Sequence, residues 1–400
     1  MIEKRLTDEK LYEKNAYLFD FSSTVRAVYK DGDKTSVVLS ETAFFPEGGG
    51  QIYDTGTLDG LPVVAVHETE RGVEHTVCGP VPFFVGDTVR GRVDGERRLD
   101  LMRSHTAEHM LSGVIFRLFG YDNVGFHLSC ETMTVDTSGI LTAADIERVE
   151  DEVNRAVMQN IPVEILYLLP DEKHEISYRC KLDFTETVRI VRIGDVDTCA
   201  CCAPHVHSTG EIGCVKITDS VRWKGGMRLT VKAGARAFAD YRTLFLETSD
   251  IGRCLSVPRE ETAVAVRRQA ELLTSEKATS KNAVAEVLSL YSDAFVPGGD
   301  NAVLVFSSVL PTVARSFAET AAKKVRQRLV LLFPKGDGYD YLIASDTLPL
   351  REDIRAANAA LAGRGGGTDR MVQGHFSATE ECIRAYFNKT ENIRQNNTDR

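Results

Sequence analysis

Residues 103–111, Arg-Ser-His-Thr-Ala-Glu-His-Met-Leu, set two histidines four positions apart in a stretch that reads as helix. Positions i and i+4 share a helix face, so His105 and His109 can aim two imidazoles at one point. The helix is expected over 98–119, ended by Gly120. A second cluster follows at 197–205, Asp-Thr-Cys-Ala-Cys-Cys-Ala-Pro-His, and then Thr209-Gly-Glu-Ile-Gly. A thiolate and a third imidazole from it would complete a tetrahedral Zn²⁺ shell. Such a shell is closed, so a water would need a fifth site or a released ligand. Either half alone is a weak signal; together they are stronger. The ligand choice in the second half stays open, because Cys199, Cys201, Cys202, His205 and His207 are all within reach. In an extended segment Cys199 and Cys201 share a face, as do His205 and His207.

Upstream, residues 15–90 read as β. Ser36-Val-Val-Leu-Ser, Pro62-Val-Val-Ala-Val and Asp87-Thr-Val-Arg-Gly-Arg-Val are short β-branched runs parted by Gly-rich turns, the pattern of a small barrel. Among them lies Thr42-Ala-Phe-Phe-Pro-Glu-Gly-Gly-Gly-Gln-Ile-Tyr-Asp-Thr-Gly. Its three glycines permit positive φ and close approach of a ligand, or simply a flexible turn.

Downstream, a helix is expected near 143–159, capped by Thr142, with Ile146, Val149, Val153 and Val157 on one face. Strands are expected near 162–168, 187–193, 213–218 and 227–232. Residues 257–293 carry an apolar stripe (Val266, Ala270, Leu273, Val284, Val287, Tyr291) that predicts a long, partly exposed, coiled-coil-like helix. From 301 the pattern is an α/β unit with helices near 312–326 and 351–361. It leads into Gly363-Arg-Gly-Gly-Gly-Thr-Asp-Arg, read as a loop with neither a Walker lysine nor dinucleotide spacing. A balance of roughly +3 over the last stretch suits phosphates, or a merely solvated face.

The chain of 400 residues has room for two or three cores. Nine cysteines without a regular framework argue for a reducing compartment. The charged start lacks a signal-peptide core and no apolar run has the length of a membrane span. A cytoplasmic protein with no membrane partner is therefore expected. The net charge of −10 argues mildly against nucleic acid, though a local basic surface can coexist with it. Three function classes compete. His105-Thr-Ala-Glu-His109 is also the H-x-x-E-H pattern of a metalloprotease, with Glu108 as base. A closed shell equally suits a structural zinc in a nucleic-acid-binding module. The third class is a zinc-containing hydrolase.

Four segments bear a close resemblance to one family. The Thr42–Gly56 stretch, Arg103–His109, Cys201-Cys-Ala-Pro-His205 with Thr209–Gly213, and Gly363-Arg-Gly-Gly-Gly367 resemble, in order, motifs of the stand-alone alanyl-tRNA editing proteins of the long type. The last is similar to the glycine signature of the C-terminal domain that alanyl-tRNA synthetase shares with the DHH phosphoesterases. The resemblance implies an α+β multidomain protein: a β-barrel domain with the Gly-rich loop (1–95), a zinc-containing editing domain (96–250), a helical linker (251–296) and a DHHA1-like tRNA-binding or dimerisation domain (297–400). It implies hydrolysis, in trans, of tRNA(Ala) mischarged with serine or glycine. It selects His105, His109, Cys201 and His205 as ligands of one Zn²⁺ per chain. Thr42 becomes the candidate reader of the serine hydroxyl, Gln51 the group that orients carbonyl or water, and the amides of Gly48, Gly49 and Gly50 an oxyanion site. Arg103, Cys202 and Asp54 are expected to bind substrate, while Arg364, Gly365, Gly366 and Gly367 are expected to bind tRNA. Glu108 is expected to face away. The sequence departs from the family at Cys202-Ala203-Pro204, where Gly-Gly-Thr is usual; Pro204 removes a backbone donor and Cys202 adds a thiol.

Overall fold

The computed structural model describes residues 9–169, 177–179 and 187–389. Contacts divide the chain into two units, residues 1–248 and 249–400.

The first unit opens with a short strand β1 (Glu9–Lys10) and helix α1 (Leu11–Lys14). Then come β2 (Asp20–Asp31), β3 (Lys34–Leu39), β4 (Glu41–Thr42), β5 (Gly56–Leu58), β6 (Leu61–Thr69), β7 (Gly72–Cys78) and β8 (Thr88–Val93). Six of these close into a barrel in the order β2-β3-β7-β6-β5-β8. Alternation puts Val25, Val37, Leu39, Leu58, Val66, Val77 and Val89 inside, each at most 1 % exposed. Helix α2 (Gly95–Phe119) follows. Asp94 caps it by accepting from the Arg97 amide, and Gly120 ends it at φ 70°. Its middle, from Leu101 to Ile115, is buried on nearly all sides, with Leu101, Met102, Met110, Leu111, Val114 and Ile115 in one core. Arg98, in its first turn, is fully buried with Asp54 of the barrel; Nε reaches both carboxylate oxygens at 3.1 and 2.9 Å.

Around α2 lie β9 (Asn123–Leu128), β10 (Met133–Thr137), helix α3 (Ala143–Met158), β11 (Val163–Leu168), β12 (Val188–Ile193), β13 (Asp197–Ala200), β14 (Val215–Trp223) and β15 (Gly226–Ala233). Two antiparallel sheets result, β14-β15-β10-β9 and β11-β12-β13. Thr142 caps α3 in a reciprocal capping box with Asp145. The segment Thr209–Ile212 forms a 3-10 turn whose Glu211 accepts from the amides of His207 and Ser208, fixing the end of the second cluster.

Helix α4 (Ala235–Leu255), which the sequence pattern did not disclose, leads out of this unit. The second unit continues with α5 (Thr262–Ala294), β16 (Asn301–Val305), α6 (Pro311–Ala321), β17 (Arg328–Lys335), β18 (Gly338–Ala344), α7 (Leu350–Ala360), β19 (Gly363–Gly367), β20 (Met371–Phe376) and α8 (Glu380–Lys389). Its sheet runs β16-β17-β18-β20-β19. The stripe along α5, on a helix expected to be partly exposed, is mostly open: Val266, Leu273, Val287 and Tyr291 are 43–64 % exposed. Only the C-terminal end joins a core, where Leu288 and Phe295 pack with Ala314 and Phe317.

The Gly363–Gly367 segment is a strand, not the loop expected. It pairs antiparallel with β20 at the sheet edge, with Gly365 opposite Gly374. The reason is steric. A Cβ at either position would lie 2.4–2.5 Å from the Tyr341 hydroxyl, so the paired glycines leave room for that phenol.

Candidate metal centre

His105 and His109 project from α2 as the i, i+4 spacing predicts, and both are 2 % exposed. Cys201 and His205 come from the loop after β13, and the ligand atoms of all four lie within 4.8 Å of one another. The Cys201 Sγ is 3.7 Å from His105 Nε2 and 3.4 Å from His205 Nε2. Tetrahedral ligands at Zn–S ~2.3 Å and Zn–N ~2.0 Å stand roughly 3.5 Å apart, so the spacing suits a metal of that size.

Each imidazole is oriented through its other nitrogen. His105 Nδ1 lies 2.7 Å from Gln51 Oε1 and His109 Nδ1 3.1 Å from Asp197 Oδ2. His205 Nδ1 lies 3.0 Å from Thr106 Oγ1, whose own proton goes to the Met102 carbonyl. All three partners accept, so all three rings carry Nδ1–H and turn Nε2 inward. This is the arrangement in which histidines bind metals. Arg179 in turn clamps Asp197 through two bonds of 2.7 and 2.8 Å. A side chain at Gly113 would meet the Val196 carbonyl at 2.3 Å; glycine there lets Asp197 approach α2.

The electrostatics agree. Burial alone would raise the Cys201 pKa, but His105, and hydrogen bonds from His109 and His205, hold it well below the usual thiol range. Burial opposes charge on His109 too, yet Asp197 and Cys201 outweigh it and raise its pKa. Burial pushes His205 down to about 3. An anionic sulfur among inward-turned imidazoles is a donor set that a cation satisfies, and the cluster can hold a metal ion. His109, Asp197 and Cys199 form a second, overlapping set. The Cys201 loop is pinned by Arg189, which donates to the carbonyls of Cys201 and Ala203, and the Ala203 amide points at the Cys201 sulfur.

His105, His109 and Cys201 of the cluster line a cavity of about 1150 Å³ that also meets Gly48, Gly49, Phe126 and Cys202. Gln51 is fully buried, and its Nε2 has no hydrogen-bond partner among the described residues. Gly50 sits at φ +86°, and a Cβ there would meet the Phe126 carbonyl at 2.5 Å. The Gly48 amide is taken by the Gln51 carbonyl at 3.1 Å.

Gly50, Gln51 and His205 are not among the residues that line the cavity, and three further expected site residues, Thr42, Asp54 and Arg103, are committed elsewhere. Thr42 is buried in the barrel; its hydroxyl lies 2.7 Å from His75 Nε2 and accepts from the Phe44 amide. Asp54 is saturated by Arg98 and the Phe45 amide. Arg103 donates to the Glu211 carbonyl at 2.9 Å. Glu108 differs in the opposite sense. Expected to face away, it lines the cavity, where Oε1 accepts from Ser112 and Asn123, both at 2.5 Å. Asp197, Thr106 and Arg179 had no role in the sequence reading. Their partners are distant in the chain, and only the Asp-Thr-Cys and His-Thr adjacencies hinted at them.

Known proteins resemble the chain along most of its length. The model of the threonyl and alanyl tRNA synthetase second additional domain matches residues 188–229, and that of class II (A) tRNA synthetases matches 5–97. The alanyl-tRNA editing protein AlaX-L of Pyrococcus horikoshii is 28 % identical, over 94 % of this chain and 96 % of its own. Alanine–tRNA ligases are 29 % identical in both Methanococcus maripaludis, over 87 % of this chain, and Pyrococcus furiosus, over 96 %. The chain spans only 40–43 % of those ligases. The C-Ala domain of Aquifex aeolicus alanyl-tRNA synthetase matches 23 % of this chain and 91 % of its own at 24 % identity, with a TM-score of 0.20. The chain is thus related, along nearly its whole length, to the long alanyl-tRNA editing proteins and, over about two-fifths of their length, to the alanine–tRNA ligases.

Proposed function

We propose that the protein is an aminoacyl-tRNA deacylase that hydrolyses tRNA(Ala) mischarged with serine, and secondarily glycine, acting in trans. The observation that carries this is the cavity lined by His105, His109 and Cys201 of the His/Cys cluster and by Gly48 and Gly49, with Gln51 and its orphaned amide held against His105. The reading is supported by the relatives named above.

His105, His109, Cys201 and His205 would hold one Zn²⁺. Bound there, it would cross-link α2 to the Cys201–His205 loop and supply a Lewis-acid centre at the cavity wall. The chain's own groups do the rest. Gln51 holds His105 through Oε1 and has Nε2 left to donate to the ester carbonyl. The amides of Gly49 and Gly50 donate to no described residue and serve the developing oxyanion. Glu108 keeps Oε2 free of described partners and would accept from the substrate's ammonium group. An ester is already reactive, so positioning supplies much of the rate. Thr42 supports the site from beneath by holding the Phe44 amide. The glycine strand, with Arg364 and Gly365–Gly367, would contact tRNA in a DHHA1-like unit that also offers a dimer interface.

The protease reading finds little support: Cys201 and His205, rather than a carboxylate, join the two helical histidines, and Glu108 is bound by Ser112 and Asn123. The test is deacylation of seryl-tRNA(Ala), with glycyl- and alanyl-tRNA(Ala) alongside and Cys201→Ala as control. Loss of the seryl ester, sparing of the alanyl ester and an inactive control are expected. No hydrolysis by metal-replete protein would overturn the reading in favour of a zinc-stapled binding module.

A further inference from the structure

The β14–β15 hairpin is basic in an acidic chain. Between Val215 and Ala233 it carries Lys216, Arg222, Lys224, Arg228 and Lys232 against Asp219, while the whole protein has a net charge of −10. Three of these cations are committed: Lys216 to Glu150, Lys232 to Asp240 and Arg228 to Asp136. Arg222 and Lys224 have no ion pair among the described residues, and both are exposed at the hairpin tip. Lys224 at φ 45° and Gly225 at φ 88° make the turn, which Trp223 and Gly226 close.

Trp223, between Arg222 and Lys224, is the chain's single tryptophan and is 39 % exposed, with the Lys224 ammonium 5.6 Å from its ring centroid. It is also fixed. The Arg228 guanidinium lies 4.1 Å from its ring centroid and is itself held by Asp136 at 2.7 and 2.8 Å. A rigid aromatic ring beside exposed cations that have no carboxylate partner is how proteins stack a base while neutralising the adjoining phosphates.

The register locates the tip. Arg222, beside Trp223, pairs with Met227, Met227 with Thr137, and Thr137 with Asn123, which lines the cavity. Three inter-strand steps are roughly 14 Å. At a stacked spacing of ~3.4 Å, a strand whose last residue occupies the cavity reaches the tip about four nucleotides back.

We propose that this tip is an RNA-docking element: Trp223 stacks one base of the single-stranded end of the substrate RNA, and Arg222 and Lys224 pair with its phosphates. The placement rests on the deacylase reading, but the contact is measurable without hydrolysis. Because Trp223 is the lone tryptophan, its fluorescence reports the contact directly. Wild-type protein is titrated with an uncharged single-stranded RNA ending in CCA. Quenching is expected. Trp223→Ala should raise the KM for the tRNA ester roughly ten-fold, the value of one stacked base, rather than lower kcat, and Trp223→Phe should restore most of it. Arg222→Ala with Lys224→Ala should lower the log–log salt slope of RNA binding by roughly 1.4, as two phosphate contacts require. Absence of quenching, or an unaltered KM in Trp223→Ala with an unaltered slope in the double variant, overturns the proposal. Quenching without hydrolysis upholds the hairpin and overturns the deacylase reading; hydrolysis without quenching does the reverse.

Discussion

The chain has two glycine-rich stretches, and they solve different problems. Gly48–Gly50 makes a turn in which Gly50, at φ +86°, lies against the Phe126 carbonyl and delivers Gln51 to the His/Cys cluster. Gly363–Gly367 is a flat edge strand with Tyr341 beneath it. In the first, glycine supplies a backbone conformation; in the second, it supplies vacant volume. A run of glycines therefore announces close approach without saying of what.

Five experiments test that contrast. The upper limit comes from the cluster beside the first stretch: Cys201→Ala should abolish stoichiometric metal, read by elemental analysis, and lower deacylation by at least about 100-fold, since even partners of ligands cost 10- to 100-fold. Gly50→Ala must combine a strained φ with a backbone clash. A loss of about 3 kcal/mol, in stability or as the matching fall in activity, is expected. Wild-type stability in denaturant should carry the signature of His75, which lies under Thr42 at the base of the same stretch. Burial lowers its pKa from 6.5 to about 4. The unfolded chain takes up this proton below pH 6.5 while the folded one does not until about 4, so the contribution is complete above 6.5 and falls as pH drops through that window, by about 3 kcal/mol. His75→Gln should flatten that part of the profile. In the second stretch, Gly365→Ala should destabilise by about 2 kcal/mol through overpacking against Tyr341 and the Gln373 carbonyl. Gly366→Ala meets nothing within 4 Å and should change stability by less than about 0.5 kcal/mol. Equal effects at Gly365 and Gly366 would remove the steric account.

Legibility followed the range of the interactions. Helix α2 and the capping box of α3 are local, and Thr142, Gly120 and the His105/His109 spacing were all readable. The β-branched runs before α2 disclosed their strands for the same reason. Helix α4 was not readable, because Phe238, Tyr241, Leu244, Phe245 and Leu246 are all exposed and trace no single buried face. At the cluster, helical periodicity brings out two ligands, whereas the choice of Cys201 and His205 needed the resemblance. The partners that orient the rings lie far off: Asp197 is 88 residues from His109, and His205 is 99 from Thr106. The place of Glu108 follows from helix geometry: one step along a helix turns a side chain by about 100°, which is not the opposite face from His109. The cavity wraps around α2 far enough to include it.

The Arg98–Asp54 pair bears on how the first unit can be divided. Asp54 belongs to the barrel, and its counter-charge sits just past the boundary at residue 95 that the sequence suggests. A fragment ending there would keep a buried carboxylate without its guanidinium, and stranding one partner of a buried pair costs about 3–5 kcal/mol. That is a large share of what holds a small domain together. Excised alone, the barrel should express as an unfolded or protease-sensitive polypeptide. Grafts of this module onto other chains should therefore carry the first turns of α2 with them.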